Sequence, residues 1–152
     1  MYMPTDPILF NDIQSFFLET QSNWLECLSP FEKTPWRKKV QTSPKHTSIV
    51  RSLSHGTAYE KAAINFSFIQ GDKLSSSALQ EPNPDITNKP FRALNVSMIL
   101  HPYNPHVPIL HANLRFFQSV SSPHIWWFGA AMDLNPCYGY HEDCIHWHQT
   151  CY

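Results

Sequence analysis

The chain has 152 residues, a formal net charge of −1, only 15% charged residues and 42% hydrophobic residues. That length can bury a sizeable core, and that composition excludes a disordered chain. With 11 Lys and Arg against 12 Asp and Glu, and no basic run longer than Arg37-Lys38-Lys39, the balance also argues against a general nucleic-acid binder.

In chain order, the first predicted element is a helix over Pro7–Leu28. Leu9, Ile13, Phe16, Phe17, Trp24 and Leu28 recur there at three- and four-residue steps, a stripe suited to core packing. Asp6 before Pro7 reads as an N-cap followed by an N1 proline. Ser29–Pro44 reads as irregular and proline-broken, and Thr47–Leu53 as a short strand. Ala63–Ile69 alternates, with Ile64, Phe66 and Phe68 on one face and Asn65 and Ser67 on the other, as a half-buried strand does. Gly71–Pro90 is rich in Ser, Pro, Asn and Asp and reads as a long loop.

Arg92–His101 alternates again, and Pro102–Pro108 holds three prolines in seven residues, which makes it a connection. Ile109–Phe117 is the next strand. If the two strands form an antiparallel hairpin with residue 101 opposite 109, Ile99 faces His111, Ser97 faces Asn113 and Asn95 faces Arg115. Opposite residues share a face, so Asn95, Ser97, His101, His111, Asn113 and Arg115 gather on one side. His124–Met132 reads as a further strand leading into Asp133-Leu-Asn-Pro136. Tyr138-Gly-Tyr140 reads as a turn, and His141–Tyr152 as the start of a helix with Glu142 and Asp143 in its first turn. Half-buried strands outnumber helices, which predicts an α+β fold, an antiparallel sheet flanked by helices.

No apolar stretch approaches the roughly 20 residues that span a bilayer, and residues 1–10 lack the basic and apolar regions of a signal peptide. Three of the four cysteines, Cys137, Cys144 and Cys151, lie near the end in no CxxC pair, which fits a reduced, cytoplasmic setting. Only four glycines occur, where an average chain of this length carries roughly eleven.

Seven of the nine histidines fall between His101 and His148. His146 and His148 would point about 200° apart on a helix and cannot share one ion. His141, Cys144, His148 and Cys151 share a helical face, a poor geometry for tetrahedral zinc. His101 and His111 with one helix histidine make a better imidazole set. The alternative is that these histidines are satisfied polar groups in an aromatic-rich cleft. Arg115 among Ser and Asn neighbours suits a carboxylate clamp, and His111 beside it could move protons near neutral pH. The same face is equally consistent with a polar surface packed under a loop. No Gly-rich phosphate loop, GxSxG or HExxH is present.

Several runs together closely resemble the oxygen-dependent coproporphyrinogen III oxidase family: Asn65-Phe-Ser67, the continuous stretch Ala93–Phe117, Trp126-Trp-Phe-Gly129, Asp133-Leu-Asn-Pro136, Tyr138-Gly-Tyr140 and Ile145-His-Trp-His148. Order and spacing match over about residues 60–152, and the N-terminal helix matches more loosely. The resemblance implies oxidative decarboxylation of two propionates of coproporphyrinogen III to vinyls, giving protoporphyrinogen IX. Dioxygen would be the acceptor, no organic cofactor would be needed, and a divalent metal is a possible addition. It also implies a homodimer built on a large antiparallel sheet. Carried over residue by residue, Ser97, Asn113, Leu114 and Arg115 match substrate-binding positions. His111 matches a proton donor, and Asp133 an aspartate that faces the pyrrole N–H groups. His101, His111 and His148 match proposed metal ligands.

Departures accompany the match. Family members are about twice as long, so residues 1–152 are expected to form a single incomplete domain, the N-terminal part. A further histidine and a Gly-Gly-Arg segment are missing. Ala63 and Ala130-Ala131 stand where glycines are usual, and Thr42–Ser48 has no glycine. The expected function is therefore coproporphyrinogen oxidation. The alternatives are an inactive or tetrapyrrole-binding remnant and, from a different class, a histidine-based metal binder.

Overall fold

A computed structural model of the protein describes residues 7–75 and 83–152. Helix α1 (Pro7–Leu28) is followed by six strands: β1 (Arg37–Ser43), β2 (His46–Ser54), β3 (Tyr59–Gly71), β4 (Phe91–Pro102), β5 (Ile109–Ser119) and β6 (Trp126–Asn135). Helix α2 (His141–Cys151) completes the described elements. All strands pair antiparallel in the order β1-β2-β3-β4-β5-β6, so sheet order repeats chain order. This is the expected α+β arrangement.

Helix α1 has the predicted bounds; the expected Asp6 cap lies outside the described residues. Its Phe10, Ile13 and Phe17 pack on Phe66, Leu94, Val96 and Phe116 of β3, β4 and β5. These sheet residues occupy even positions, the face that alternation makes apolar. Phe17 is 1% exposed, so its removal would cost about 3–5 kcal/mol. Leu28, Leu53, Ala62, Ile64, Met98 and Leu100 extend the core toward the helix C-terminus. The buried Gln21 anchors the helix, donating through Nε2 to the carbonyls of Ile49 (2.6 Å) and Ile64 (3.0 Å). Phe16, counted in the predicted apolar stripe, is exposed instead.

Residues 37–43 correct the expectation of an irregular Ser29–Pro44 segment, because they form edge strand β1. Every residue of β1 is exposed, so no buried face exists to impose an apolar alternation. Its Arg37, Lys38 and Lys39 place positive charge on one sheet edge, a device that discourages pairing with a further strand. The preceding loop is held by Glu32, a buried carboxylate. It accepts hydrogen bonds from the backbone N–H of Thr34, Thr57, Ala58 and Tyr59 and from the Thr57 hydroxyl. Burial alone would push its pKa up, but the donors from Thr57, Thr34 and Ala58 prevail and hold it well below the usual carboxylate range. A Cβ on Gly56 would collide with the Glu32 carboxylate and with Leu53, so glycine is required there for close approach.

Strand β6 also differs from expectation. It runs to Asn135 rather than stopping at Met132, and Asp133 lies within it. The face that carries α1 is itself only partly covered: α1 packs mainly on β3 and β4, while Phe128 and Met132 of β6 remain exposed. Helix α2 buries none of its residues. Its approach is fixed from the other side, where His106 of the proline-rich connection stacks on Tyr138 at 4.8 Å and hydrogen-bonds Tyr140.

Candidate functional site on the open sheet face

The odd-numbered positions of β3, β4, β5 and β6 form the face opposite α1, and pairing aligns them into rows. Ser67, Asn95, Arg115 and Gly129 make one row. Asn65, Ser97, Asn113 and Ala131 make the next, followed by Ala63, Ile99, His111 and Asp133. The hairpin register expected from alternation, with Asn95 opposite Arg115 and Ile99 opposite His111, is the observed one. Two residues separate successive rows, so Arg115 and His111 stand about 13 Å apart along β5.

Beyond the Arg115 row the face turns apolar. Phe91 stacks on Phe117 with ring centroids 5.0 Å apart, and Phe117 stacks on Trp127 at 4.3 Å. Leu74 and Ile86 of the β3–β4 connection pack over these rings. The reading of this face as packed under a loop holds at one end, and the remainder is open. Between them lies a cavity of about 390 Å³ whose lining includes Ser67, Asn95, Arg115, Phe117 and Trp127. Among the described residues no carboxylate pairs with Arg115. A Cβ on Gly129, opposite Arg115, would meet nothing within 4 Å, so there is space beside the guanidinium. A guanidinium without a carboxylate partner among the described residues, flanked by Ser and Asn at the mouth of an aromatic cavity, is equipped to hold an anionic, flat ligand.

At the other end, Asp133 Oδ2 lies 3.0 Å from His111 Nδ1, and Asp133 Oδ1 accepts a 2.7 Å hydrogen bond from Asn135 Nδ2. The His111 and Asp133 side chains are 37% and 51% exposed, so a ligand can reach both. Asp133 also lines a cavity of about 310 Å³ between β6 and α2, together with Tyr140, Cys144, Trp147 and His148. The reading of Asp133 as a residue after the strand missed this pairing, because the partner of His111 depends on β5–β6 register.

The arrangement places a guanidinium beside an aromatic cavity and an imidazole–carboxylate pair on one surface. The model of the coproporphyrinogen III oxidase family matches residues 12–152. The chain belongs to the coproporphyrinogen III oxidase family. That membership ties it to haem biosynthesis and to a porphyrinogen substrate.

For this family member, the structure brings Ser97, Asn113, Arg115, His111 and Asp133 to one face. Leu114 stands apart, since its side chain points to the opposite face and packs against the core under α1. His101 lies at the end of β4 and His148 on α2. Among the described residues, no three His, Cys, Asp or Glu side chains gather in a group that could hold a metal ion. The imidazole set expected at His101, His111 and His148 is therefore not assembled. The one-helix set at His141, Cys144, His148 and Cys151 is not assembled either. Among the described residues, no helix is long and apolar enough to cross a membrane.

Of the three alanines that the resemblance sets against expected glycines, Ala63 and Ala131 carry their methyl groups on the site face. Ala130, opposite Leu114, carries its methyl on the other face.

Proposed function

We propose that this chain binds coproporphyrinogen III on the open sheet face and supports its oxygen-dependent oxidative decarboxylation. The observation that carries the reading is the alignment of Arg115 and the His111–Asp133 pair on one face, about 13 Å apart, with an aromatic cavity at the Arg115 end. In this reading Arg115, with Asn95, Ser97 and Asn113 around it, clamps a propionate. Phe117 and Trp127 offer apolar surface to the macrocycle edge. Asp133 accepts from pyrrole N–H groups: both of its oxygens already have one partner, yet a carboxylate offers about four acceptor positions. Its negative charge would stabilise positive charge developing on the ring. His111 moves a proton through the ring nitrogen that does not face Asp133.

The balance per propionate is simple. The Cβ–H and the Cα–carboxylate bonds break, the carbon–carbon double bond of the vinyl forms, and carbon dioxide leaves. Dioxygen takes two electrons and two protons to become hydrogen peroxide. No organic cofactor is needed for that balance.

A second reading is tetrapyrrole binding without turnover. It is favoured by the exposure of His111 and Asp133, because oxidation chemistry gains from excluding water. One assay separates the two. The purified chain is incubated with coproporphyrinogen III in air and under argon, and vinyl products and ligand binding are followed together. Product in air alone supports the oxidase; binding without product in either atmosphere supports the second reading. Neither binding nor product would overturn both.

A further inference from the structure

We infer that Asn135 is a positioning residue that fixes the tautomer and orientation of His111 by restraining Asp133. This deepens the proposal above and rests on its reading of His111 as the proton-moving group. Asp133 and Asn135 are two residues apart on β6 and so project to the same face. Asn135 Nδ2 donates to Asp133 Oδ1 at 2.7 Å, while Asp133 Oδ2 lies 3.0 Å from His111 Nδ1.

The chemistry of the three groups assigns the protons. An ionised carboxylate only accepts, so the Asn135 amide must present its nitrogen and His111 must carry hydrogen on Nδ1. The neutral imidazole then shows Nε2 as a bare acceptor, and the protonated ring shows Nε2–H as a donor. Either way, proton traffic with a ligand runs through Nε2.

Asp133 cannot secure this alone. It is half exposed on an edge strand, and carboxylate torsions are broad rather than locked in narrow wells. One bond to a histidine on the neighbouring strand would let the group swing. The bond from Asn135 ties the second oxygen and leaves Oδ2 directed at Nδ1.

The test is nitrogen NMR of the full chain labelled with ¹⁵N-histidine, at a pH where His111 is neutral. In the native protein His111 is expected as the Nδ1–H tautomer. Asn135→Leu and Asn135→Asp both remove the donor, the second with almost no change in shape. Each is expected to lower the ratio of Nδ1–H to Nε2–H tautomer about fivefold. Asn135 is exposed at the end of β6, and an unchanged backbone amide spectrum reports that the fold is retained. An unchanged ratio in either variant overturns the inference. So does a native His111 in the Nε2–H form, a measurement that needs no variant. Neither readout uses a substrate. A chain that turns over no porphyrinogen can still show the restraint, and one that does can still lack it.

Discussion

Glu32 offers the sharpest quantitative test of how the chain is held together. It is 4% exposed and sits where three segments meet. Its Oε1 accepts from Thr34 N (2.8 Å), Thr57 N (2.9 Å) and Thr57 Oγ1 (2.8 Å). Its Oε2 accepts from Ala58 N (2.9 Å) and Tyr59 N (3.2 Å). Glu32→Gln keeps the shape but replaces one acceptor oxygen with an amide NH2, which only donates. Whichever way the amide is turned, at least two backbone N–H groups then face a donor. Each unsatisfied group costs about 1–3 kcal/mol, and these groups are only part-buried, so the expected loss is roughly 3 kcal/mol. For a chain of this size that corresponds to a melting temperature lower by roughly 6–12 °C. The charge also predicts a pH dependence. The folded-state pKa of Glu32 is depressed, so its stabilisation is complete above the ordinary carboxylate value of about 4.3 and is lost progressively as pH falls below it. Urea unfolding at pH 7 and at stepped values down to pH 3 measures both effects. The native chain should lose stability over that range, and Glu32→Gln should lose less. A variant within about 1 kcal/mol of the native protein at pH 7, or one with the same pH slope, would refute the reasoning.

Three further outcomes follow from the site face and its rim. Arg115→Ala should weaken binding of a propionate-bearing tetrapyrrole roughly tenfold, a modest figure because the guanidinium is solvent-accessible; an ester lacking the carboxylates should bind both proteins alike in a fluorescence titration. If methyl groups on the site face crowd the ligand, Ala63→Gly and Ala131→Gly should each tighten binding at a stability cost of about 0.5–1 kcal/mol, whereas Ala130→Gly should carry the cost without the gain. Gly71→Ala should destabilise the β3–β4 pairing by about 1–3 kcal/mol in chemical denaturation, because a Cβ there would overlap the Phe91 ring.

The parts of the fold that were legible in the sequence are those with one buried face. The β4–β5 hairpin could be aligned residue for residue because both strands alternate and a proline-rich segment marks the connection. Strand β1 escaped because exposure on both faces leaves no pattern to read. Glu32 escaped because its donors lie 25 to 27 residues away at Thr57, Ala58 and Tyr59, with only Thr34 nearby. The pairing of His111 with Asp133 required the register of β6, and Gly129-Ala130-Ala131 in the middle of that strand gives alternation little to act on. Leu114 shows the converse. Motif matching groups it with Asn113 and Arg115, while alternation alone sends it to the core face, where it packs partly buried.

Because the sheet is a strict meander, each strand finds its partner already made when it leaves the ribosome. Among the described residues no strand has to wait for a distant one, and the entropy of closing long loops is kept small. The row that holds His111 is then completed late, by the final residues of β6. Ala63, Ile99 and His111 are in place before Asp133 arrives on β6 to supply the carboxylate. A nascent chain halted before residue 126 would carry Arg115 without the His111–Asp133 pair, so on the proposed function affinity for the ligand would emerge during synthesis earlier than any capacity to act on it.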